Sequence, residues 1–308
     1  MKKRYVFALA IFALMAGAAF GQTLSLDTFS NPAAVTYDPY SSGDSTGPQF
    51  TFTVRLSSKP SNVRSFYLLI DGTPVASYRN LVFADNSTVN LVVGFFKDSA
   101  YATEIYSSSN KTSTNIISGS FAKRTNQLTQ QFTVYPSLAS GQPAPAGIYT
   151  GTFTLKLYNG AYPTTTLADS QSFTYTANVN PFVDVRLGPS TVTYSTGISD
   201  YSIDLGDVSG GKTATFGIAI RANTAFTLSM QATSGKLSST TTTDTINYSL
   251  TIGGTLYASN LQLKNTLLIN NTKGMYEFPL SGSVNVPAGQ DVEAGQYSDR
   301  VTFTISAN

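Results

Sequence analysis

The strongest constraint on this chain is a short motif that occurs twice. Residues 146–149 read Ala-Gly-Ile-Tyr, and residues 294–297 read Ala-Gly-Gln-Tyr. In both copies apolar and polar side chains then alternate. The apolar positions are Phe153, Leu155 and Leu157 in the first copy and Val301, Phe303 and Ile305 in the second. Alternation with a period of two is typical of a half-buried strand. The repeat therefore predicts two related β domains in tandem.

The first 21 residues have the pattern of a targeting segment. Lys2, Lys3 and Arg4 precede an apolar run over residues 6–20, and small residues at 19 and 21 favour cleavage before Gln22. The run is shorter than the ~20 apolar residues that a membrane-spanning helix needs. A lone anchor helix is the structural alternative. We predict a signal peptide over residues 1–21 and an exported chain with no membrane span after cleavage.

Composition excludes several classes of chemistry. Charged residues make up 12% of the chain and the net charge is +2, so we expect no electrostatic attraction to nucleic acid or anionic membrane. The chain has no cysteine and no histidine, which removes disulfides, thiol catalysis, Ser-His-Asp triads and histidine metal sites. Asp200, Asp204 and Asp207 could supply paired carboxylates, but they flank turns and are interpreted as solvated turn acids. We predict no catalytic residue, no cofactor and no metal site, and hence no enzyme.

Short strands separated by turn signals predict an all-β chain, with no amphipathic helix after residue 21. The Asp71-Gly72 pair is interpreted as a hairpin turn, residues 107–118 as a loop, and Asn180-Pro181 as a domain boundary. The fold class is two tandem immunoglobulin-like β-sandwiches, over residues 22–180 and 181–308. The predicted strands span residues 50–56, 65–70, 81–83, 88–96, 128–135, 149–158 and 172–179, then 183–187, 201–205, 214–222, 226–230, 246–252, 276–286 and the strand after Tyr297.

The second half carries the motifs of a known family. The most specific is Gly-Gln-Tyr-Ser-Asp at residues 295–299, followed by the alternating strand. Asp-Leu-Gly at 204–206, Phe-Thr-Leu-Ser at 226–229 and Phe-Pro-Leu at 278–280 precede it in order. Residues 182–308 thereby resemble the spore coat protein U domain, the module of archaic chaperone–usher pilus subunits.

That resemblance implies a sandwich that lacks one strand. A periplasmic chaperone, and later a neighbouring subunit delivered by an outer-membrane usher, lends the missing strand to an exposed groove. The groove residues it implies are Val301, Phe303, Ile305 and Tyr297. Two domains in one chain resemble the tip adhesin of such a pilus, with an N-terminal adhesive domain on a C-terminal pilin domain.

The N-terminal half offers two further predictions about strands. Residues 22–29 hold only Leu24 and Leu26 in alternation before Asn31-Pro32, so they form the first strand of domain one and not a donor segment. Residues 172–179 alternate well, and we hypothesise that this trailing strand completes domain one from within the chain.

Adhesion requires exposed apolar or aromatic loops on the first domain. The candidates are Phe95, Phe96 and Tyr101 in one loop, Tyr37 and Tyr40 in a second, and Tyr162 in a third. The alternative is that Phe95 ends a core strand and the tyrosines pack over their own loops. The target would be a host or abiotic surface, and the location extracellular, on the cell surface. A secreted coat protein that never polymerises and a carbohydrate-active β-sandwich enzyme are the alternative functions.

Overall fold

The structure is a computed structural model, and it describes residues 22–72, 79–258, 263, 266–272 and 274–308. The predicted signal peptide, residues 1–21, lies outside the described residues. The predicted all-β fold is confirmed, because the described chain is built from strands in several sheets, and all but one of the strand pairs are antiparallel. Within the described ranges, no helix is both long enough and apolar enough to cross a membrane.

Among the described residues, eleven strands form what we call the N-terminal unit, and eleven more form the C-terminal unit. Those of the N-terminal unit are β1 (Leu24–Phe29), β2 (Val35–Tyr37), β3 (Ser45–Thr46), β4 (Phe50–Leu56), β5 (Arg64–Gly72), β6 (Asn80–Phe83), β7 (Asn86–Phe96), β8 (Ile117–Phe121), β9 (Thr129–Leu138), β10 (Gly147–Asn159) and β11 (Leu167–Val179). Those of the C-terminal unit are β12 (Val183–Gly188), β13 (Lys212–Ala222), β14 (Phe226–Ala232), β15 (Leu237–Ser239), β16 (Thr245–Ile246), β17 (Ser249–Ile252), β18 (Thr255–Tyr257), β19 (Thr266–Asn271), β20 (Tyr276–Val286), β21 (Tyr297–Ser298) and β22 (Val301–Ala307).

Each unit encloses its own apolar core. Hydrogen bonds connect all strands of the N-terminal unit, with β1-β4-β9-β7 on one side and β8-β5-β10-β11 on the other. The C-terminal unit has a β12-β13-β20-β17-β18 sheet, a β19-β14-β22 sheet and a small β16-β15-β21 sheet. The predicted boundary at Asn180-Pro181 lies between β11 and β12, and the division into independent domains stays a prediction.

The alternation of apolar residues located most strands correctly. β4 and β20 have the predicted bounds, and β1 pairs with β4 as expected for a first strand. The predicted strand at residues 246–252 is two short strands, β16 and β17. Six strands of the described chain were not predicted. The short β2, β3, β15 and β18 have two or three residues each, and β8 and β19 show no clean alternation.

Two local predictions were wrong. Asp71-Gly72 forms no hairpin turn, since both residues lie within β5 and pair with Thr154 and Phe153 of β10. Asp71 is buried there and forms an ion pair with Lys156 at 2.6 Å, so its carboxylate links the paired strands β5 and β10. Residues 201–205 are not a hydrogen-bonded strand, although their side chains alternate between half-buried and exposed.

Candidate assembly edge and binding loops

The repeated motif forms the same local structure in both units. The Tyr149 hydroxyl donates a hydrogen bond to the carbonyl oxygen of Pro145, four residues upstream, at 2.9 Å. The Tyr297 hydroxyl donates to the carbonyl oxygen of Glu293, also four residues upstream, at 2.7 Å. A tyrosine that bonds back to the preceding backbone is the tyrosine corner of immunoglobulin-like sandwiches. The two Ala-Gly-x-Tyr sequences are therefore equivalent corners, each leading into a long alternating strand.

The strands around the two corners also correspond. β10 pairs with β5 from Phe153–Gly72 to Asn159–Phe66, and β5 pairs with β8. In the C-terminal unit, β22 pairs with β14 from Val301–Ala232 to Ala307–Phe226, and β14 pairs with β19. The three-strand order β8-β5-β10 is thus repeated as β19-β14-β22. In the same way, β1-β4-β9-β7 is repeated as β12-β13-β20-β17.

One strand of the N-terminal unit has no counterpart. The outer edge of β10 pairs with β11 at twelve positions, from Gly147–Val179 to Tyr158–Leu167. The corresponding edge of β22 pairs with nothing in the part of the chain that the structure describes. The trailing strand of the N-terminal unit therefore completes that unit from within the chain, as hypothesised, whereas β22 is left as a sheet edge.

Burial of the equivalent side chains follows this difference. Phe153, Leu155 and Leu157 of β10 are at most 1% exposed. Val301, Phe303 and Ile305 of β22 occupy the same positions and are only half-buried. The Phe303 ring nevertheless faces the interior, with its centroid 6.3 Å from that of Phe216 on β13. The apolar face of β22 points into the core, but no described strand pairs with its edge in the way that β11 pairs with β10.

The two cores as a whole show the same contrast. Among the described residues, the N-terminal core has 29 buried apolar side chains and 5 that are half-buried against them. The C-terminal core has 15 buried and 20 half-buried. Since half-buried apolar side chains leave transfer free energy unrealised, the C-terminal core can still gain from an added apolar strand.

A segment that belongs to no ladder packs against the same core as β22. In the N-terminal unit, β2 lies between β1 and β4 in sequence and pairs in parallel with β11. Residues 201–208 lie between β12 and β13 in sequence, the corresponding place. Tyr201, Ile203 and Leu205 pack half-buried against the C-terminal core, yet these residues form no ladder. We name the half-buried apolar side chains of β22 and of this segment, which pack against the same core, the assembly groove. They are Val301, Phe303 and Ile305 from β22 and Tyr201, Ile203 and Leu205 from the segment.

Tyr297, predicted as a groove residue, has a different place. It lies on β21, which pairs with β15, and its hydroxyl forms the corner described above. Asp299 of the same motif is also structural, because its carboxylate accepts hydrogen bonds from the backbone N–H groups of Ser234 at 2.9 Å and Gly235 at 2.8 Å. The Tyr248 hydroxyl donates to it at 2.8 Å. Burial, and then this hydrogen bond, raise the pKa of Tyr248 above its usual range.

Two of the predicted adhesive residues are buried in the core. Phe95 is 0% exposed, with ring centroids 4.9 Å from Phe153 and 6.1 Å from Phe50. Tyr37 is 1% exposed, and its hydroxyl exchanges hydrogen bonds with the backbone of Gln142. Neither side chain can contact a partner, so the prediction that Phe95 and Tyr37 are adhesive residues was wrong. In strand β7 the alternation places Phe95 inward and Phe96 outward.

Tyr40 lies between the two units. Its ring is 5.2 Å from that of Phe182 and 4.9 Å from the guanidinium of Arg221, and its hydroxyl is 3.8 Å from the sulfur of Met275. Burial raises the pKa of Tyr40 to about 12. The backbone N–H of Ala146 also donates to the carbonyl oxygen of Asn223 at 2.7 Å. Tyr40 is thus packed against the C-terminal unit and is not presented to a target.

The other three predicted aromatics are half-buried at the surface. Phe96 and Tyr101 pack edge to face at 5.6 Å, and Tyr101 also meets Tyr135, a neighbour that the sequence analysis missed. Tyr162 packs on Tyr67 at 5.8 Å, and its hydroxyl donates to the carbonyl oxygen of Lys111 at 3.3 Å. Phe96, Tyr101 and Tyr162 therefore stay candidates for contact with a target.

The clustered aspartates form local turns. Asp204 accepts a hydrogen bond from the N–H of Gly206 at 2.9 Å, and Asp207 accepts one from the N–H of Ser209 at 2.9 Å. Hydrogen bonding to Ser209, first through its backbone, lowers the pKa of Asp207. Asp200 is exposed. In the described ranges, no group of three or more acidic side chains is placed to hold a metal ion.

Comparison with known proteins gives structural likenesses only. No protein-family model matches the chain, so the resemblance to the spore coat protein U domain stays a prediction. No curated protein matches it in sequence. Three of the solved structures to which the chain is similar are described below.

One is a chain of the CsuC–CsuE chaperone–tip adhesion subunit pre-assembly complex from the archaic chaperone–usher Csu pili of Acinetobacter baumannii. It is 12% identical, with 90% of this chain and 99% of that chain covered and a TM-score of 0.38. The CupB6 tip adhesin of Pseudomonas aeruginosa is 10% identical over 92% and 93% of the two chains, with a TM-score of 0.35. CfaE, the adhesive subunit of CFA/I fimbria of enterotoxigenic Escherichia coli, is 11% identical over 91% and 94%, with a TM-score of 0.34.

Proposed function

We propose that this protein is an exported subunit of a chaperone–usher type pilus, the tip adhesin, assembled by donor-strand complementation. A periplasmic chaperone occupies the assembly groove first, and a neighbouring subunit replaces it at the outer-membrane usher. The N-terminal unit then mediates attachment to a surface outside the cell.

The observation that supports this proposal is the difference between β10 and β22. Both strands follow equivalent tyrosine corners, and they pair with the equivalent strands β5 and β14. Only β10 has a partner on its other edge among the described residues. An open edge offers backbone hydrogen bonds, and its alternate half-buried side chains offer apolar contacts; these are the two elements of strand addition. The internal comparison shows what a completing strand contributes, since β11 leaves the apolar face of β10 almost fully buried.

The tip position is supported by the N-terminal unit. β1 is committed to pairing with β4, and β11 is committed to β10. Neither of these alternating strands is free to be donated to a neighbour. In the residues that the structure describes, these two strands are kept within the chain, which fits a subunit at the end of a fibre that accepts a strand and donates none.

The proposal is tested by export of the full chain with and without the cognate periplasmic chaperone. We expect a one-to-one complex with the chaperone, and we expect Phe303→Asp to abolish it because the charge enters the groove wall. Thr304→Asp is the matched control, since Thr304 is exposed on the opposite face of β22. Loss of the complex in both variants, or in neither, would contradict strand addition at this groove. A wild-type chain that accumulates as a protease-resistant monomer without chaperone would favour the secreted coat protein that never polymerises.

A further inference from the structure

The end of the N-terminal unit far from the C-terminal unit carries several loops. β10 starts at Gly147, beside the Ala146–Asn223 contact, and its 13 residues extend about 40 Å at ~3.3 Å per residue. At its far end Asn159 pairs with Phe66, near the start of β5, and Arg64 pairs with Phe121, at the end of β8. The loop from β4 to β5 (residues 57–63) and the loop from β8 to β9 (residues 122–128) therefore meet there. We call this region the distal end.

Four basic side chains gather at the distal end: Lys59, Arg64, Lys123 and Arg124. The backbone N–H of Arg124 donates to the carbonyl oxygen of Pro60 at 2.8 Å, which joins the two loops. Gln22 connects the other two cations, because its amide donates to the carbonyl oxygen of Lys59 at 2.6 Å and it accepts two hydrogen bonds from the Arg64 guanidinium at 3.3 Å. Lys59, Lys123 and Arg124 are exposed, and Arg64 is half-buried.

These four cations are not neutralised by carboxylates. Elsewhere in the N-terminal unit, Arg55, Arg79 and Lys156 form ion pairs with Asp27, Glu104 and Asp71. In the ranges that the structure describes, none of the four distal cations forms an ion pair. The formal net charge of +2 for the whole chain conceals this local excess. A cluster of like charge at one end creates a local potential that attracts anions.

The remaining side chains of the two loops limit the class of anion. Ser57, Ser58, Ser61 and Asn62 are exposed in one loop, and Asn126 and Gln127 are exposed in the other. Hydroxyl and amide groups can bond to sugar hydroxyls. The two loops contain no aromatic residue on which a nucleobase could stack. Val63 is their one exposed large apolar side chain, too little for insertion into a lipid surface.

We propose that the distal end binds an acidic polysaccharide through its carboxylate or sulfate groups. The inference rests on the proposed attachment role, for which it names the chemical class of the target. The cations supply the attraction, and the flanking hydroxyl and amide groups bond to the sugar. The site is independent of the assembly groove, which lies on the other unit.

The test measures binding of the purified full-length chain to immobilised heparin, hyaluronan and neutral dextran at increasing salt. We expect retention on at least one of the two acidic polymers and none on dextran. The choice between heparin and hyaluronan separates sulfate from carboxylate recognition. We expect binding to weaken as salt rises, because exposed charges are screened.

The decisive variant is Lys59→Ser with Lys123→Ser, and the control is Lys212→Ser with Lys236→Ser, which removes the same charge from the C-terminal unit. Near an anionic surface each basic residue contributes about fivefold in affinity, so the distal pair should weaken binding by about 25-fold at low salt. The control pair should leave it unchanged. Equal weakening by both pairs, or no preference of wild type for the acidic polymers, would overturn the proposal. Tighter binding to duplex DNA or to anionic vesicles would also overturn it.

Chaperone capture is measured on the same variants. We expect the distal variant to keep its chaperone complex while it loses polysaccharide binding. A distal variant that fails only in polysaccharide binding tests the inference alone, and wild type that lacks the chaperone complex counts against the proposed function and not against the distal site.

Discussion

Truncation of one aliphatic side chain at the same position of the two repeats should have unequal effects. Leu157 on β10 and Ile305 on β22 follow their corner tyrosines by the same eight residues. Leu157 is 0% exposed, and removal of such a side chain costs about 3 kcal/mol of unfolding free energy. Ile305 is half-buried, so part of its surface is already in water. We expect Ile305→Ala to cost about half as much, ~1.5 kcal/mol.

A strand bound in the groove should raise the cost at Ile305. Once the outer edge of β22 is paired, Ile305 should be as buried as Leu157, and Ile305→Ala should then cost about 3 kcal/mol. The difference of about 1.5 kcal/mol appears as roughly tenfold weaker binding of the complementing strand. Leu157→Ala should leave that binding unchanged, because β10 lies in the other unit.

Native-state hydrogen exchange with mass spectrometry is the suitable assay, since it reports the opening free energy of each segment separately. Each variant is compared with the wild type, and the peptides that cover residues 147–159 and 301–307 report the cost of Leu157→Ala and of Ile305→Ala, respectively. If Ile305→Ala costs as much as Leu157→Ala without any added strand, β22 is already fully packed. This result would contradict the expectation that the half-burial of Ile305 lowers the cost of its truncation.

Four other substitutions test the structure. Phe95→Ser should destabilise the N-terminal unit by about 4 kcal/mol because the ring is in the core, whereas Phe96→Ser should cost less than 1 kcal/mol; limited proteolysis separates them. Burial raises the pKa of Asp71, but hydrogen bonds, first from Lys156, outweigh it and lower the pKa. The resulting stability is present above about pH 4 and is lost as the pH falls through the lowered pKa, so Lys156→Met should move acid unfolding to higher pH. Asp299→Asn leaves a backbone N–H without its acceptor and should lower the melting temperature at a cost of about 2 kcal/mol.

Regular alternation made most of the strands predictable, and the strands that were missed are very short or lack it. β8 reads Ile-Ser-Gly-Ser-Phe, with apolar residues only at its ends, so its burial is visible only from its pairing with β5. Asp71-Gly72 has the composition of a turn, yet Lys156 on the neighbouring strand gives the carboxylate a buried partner. A contact between residues 85 positions apart overrides the local preference. Residues 201–205 alternate like a strand, and in the described chain they lack the neighbour with which to pair.

The apolar face of β22 was easier to predict than the binding loops. Alternation fixes that Val301, Phe303 and Ile305 share a face, whereas their role in a strand-accepting groove stays a prediction. The place of Tyr297 was predicted wrongly, because its hydroxyl donates a hydrogen bond to the carbonyl oxygen of Glu293 and so forms the corner. The equivalent Tyr149 of the first copy could have indicated this structural role. Phe95 and Phe96 look alike in sequence, and only the register of β7 separates the buried ring from the half-buried one. The distal cations were missed because they come from two loops that are far apart in sequence.

The central claim is that the outer edge of β22 is open until another chain supplies a strand. The most direct test is amide hydrogen exchange of residues 301–307 in the full-length chain, alone and with a synthetic peptide of residues 167–179, the strand that completes β10. A peptide with Phe173 and Tyr175 replaced by serine is the control, because both rings face the core in β11. We expect alternate amides of β22 to exchange rapidly in the chain alone and to become protected with the native peptide only. Amides of β22 that are all protected before any peptide is added would contradict it.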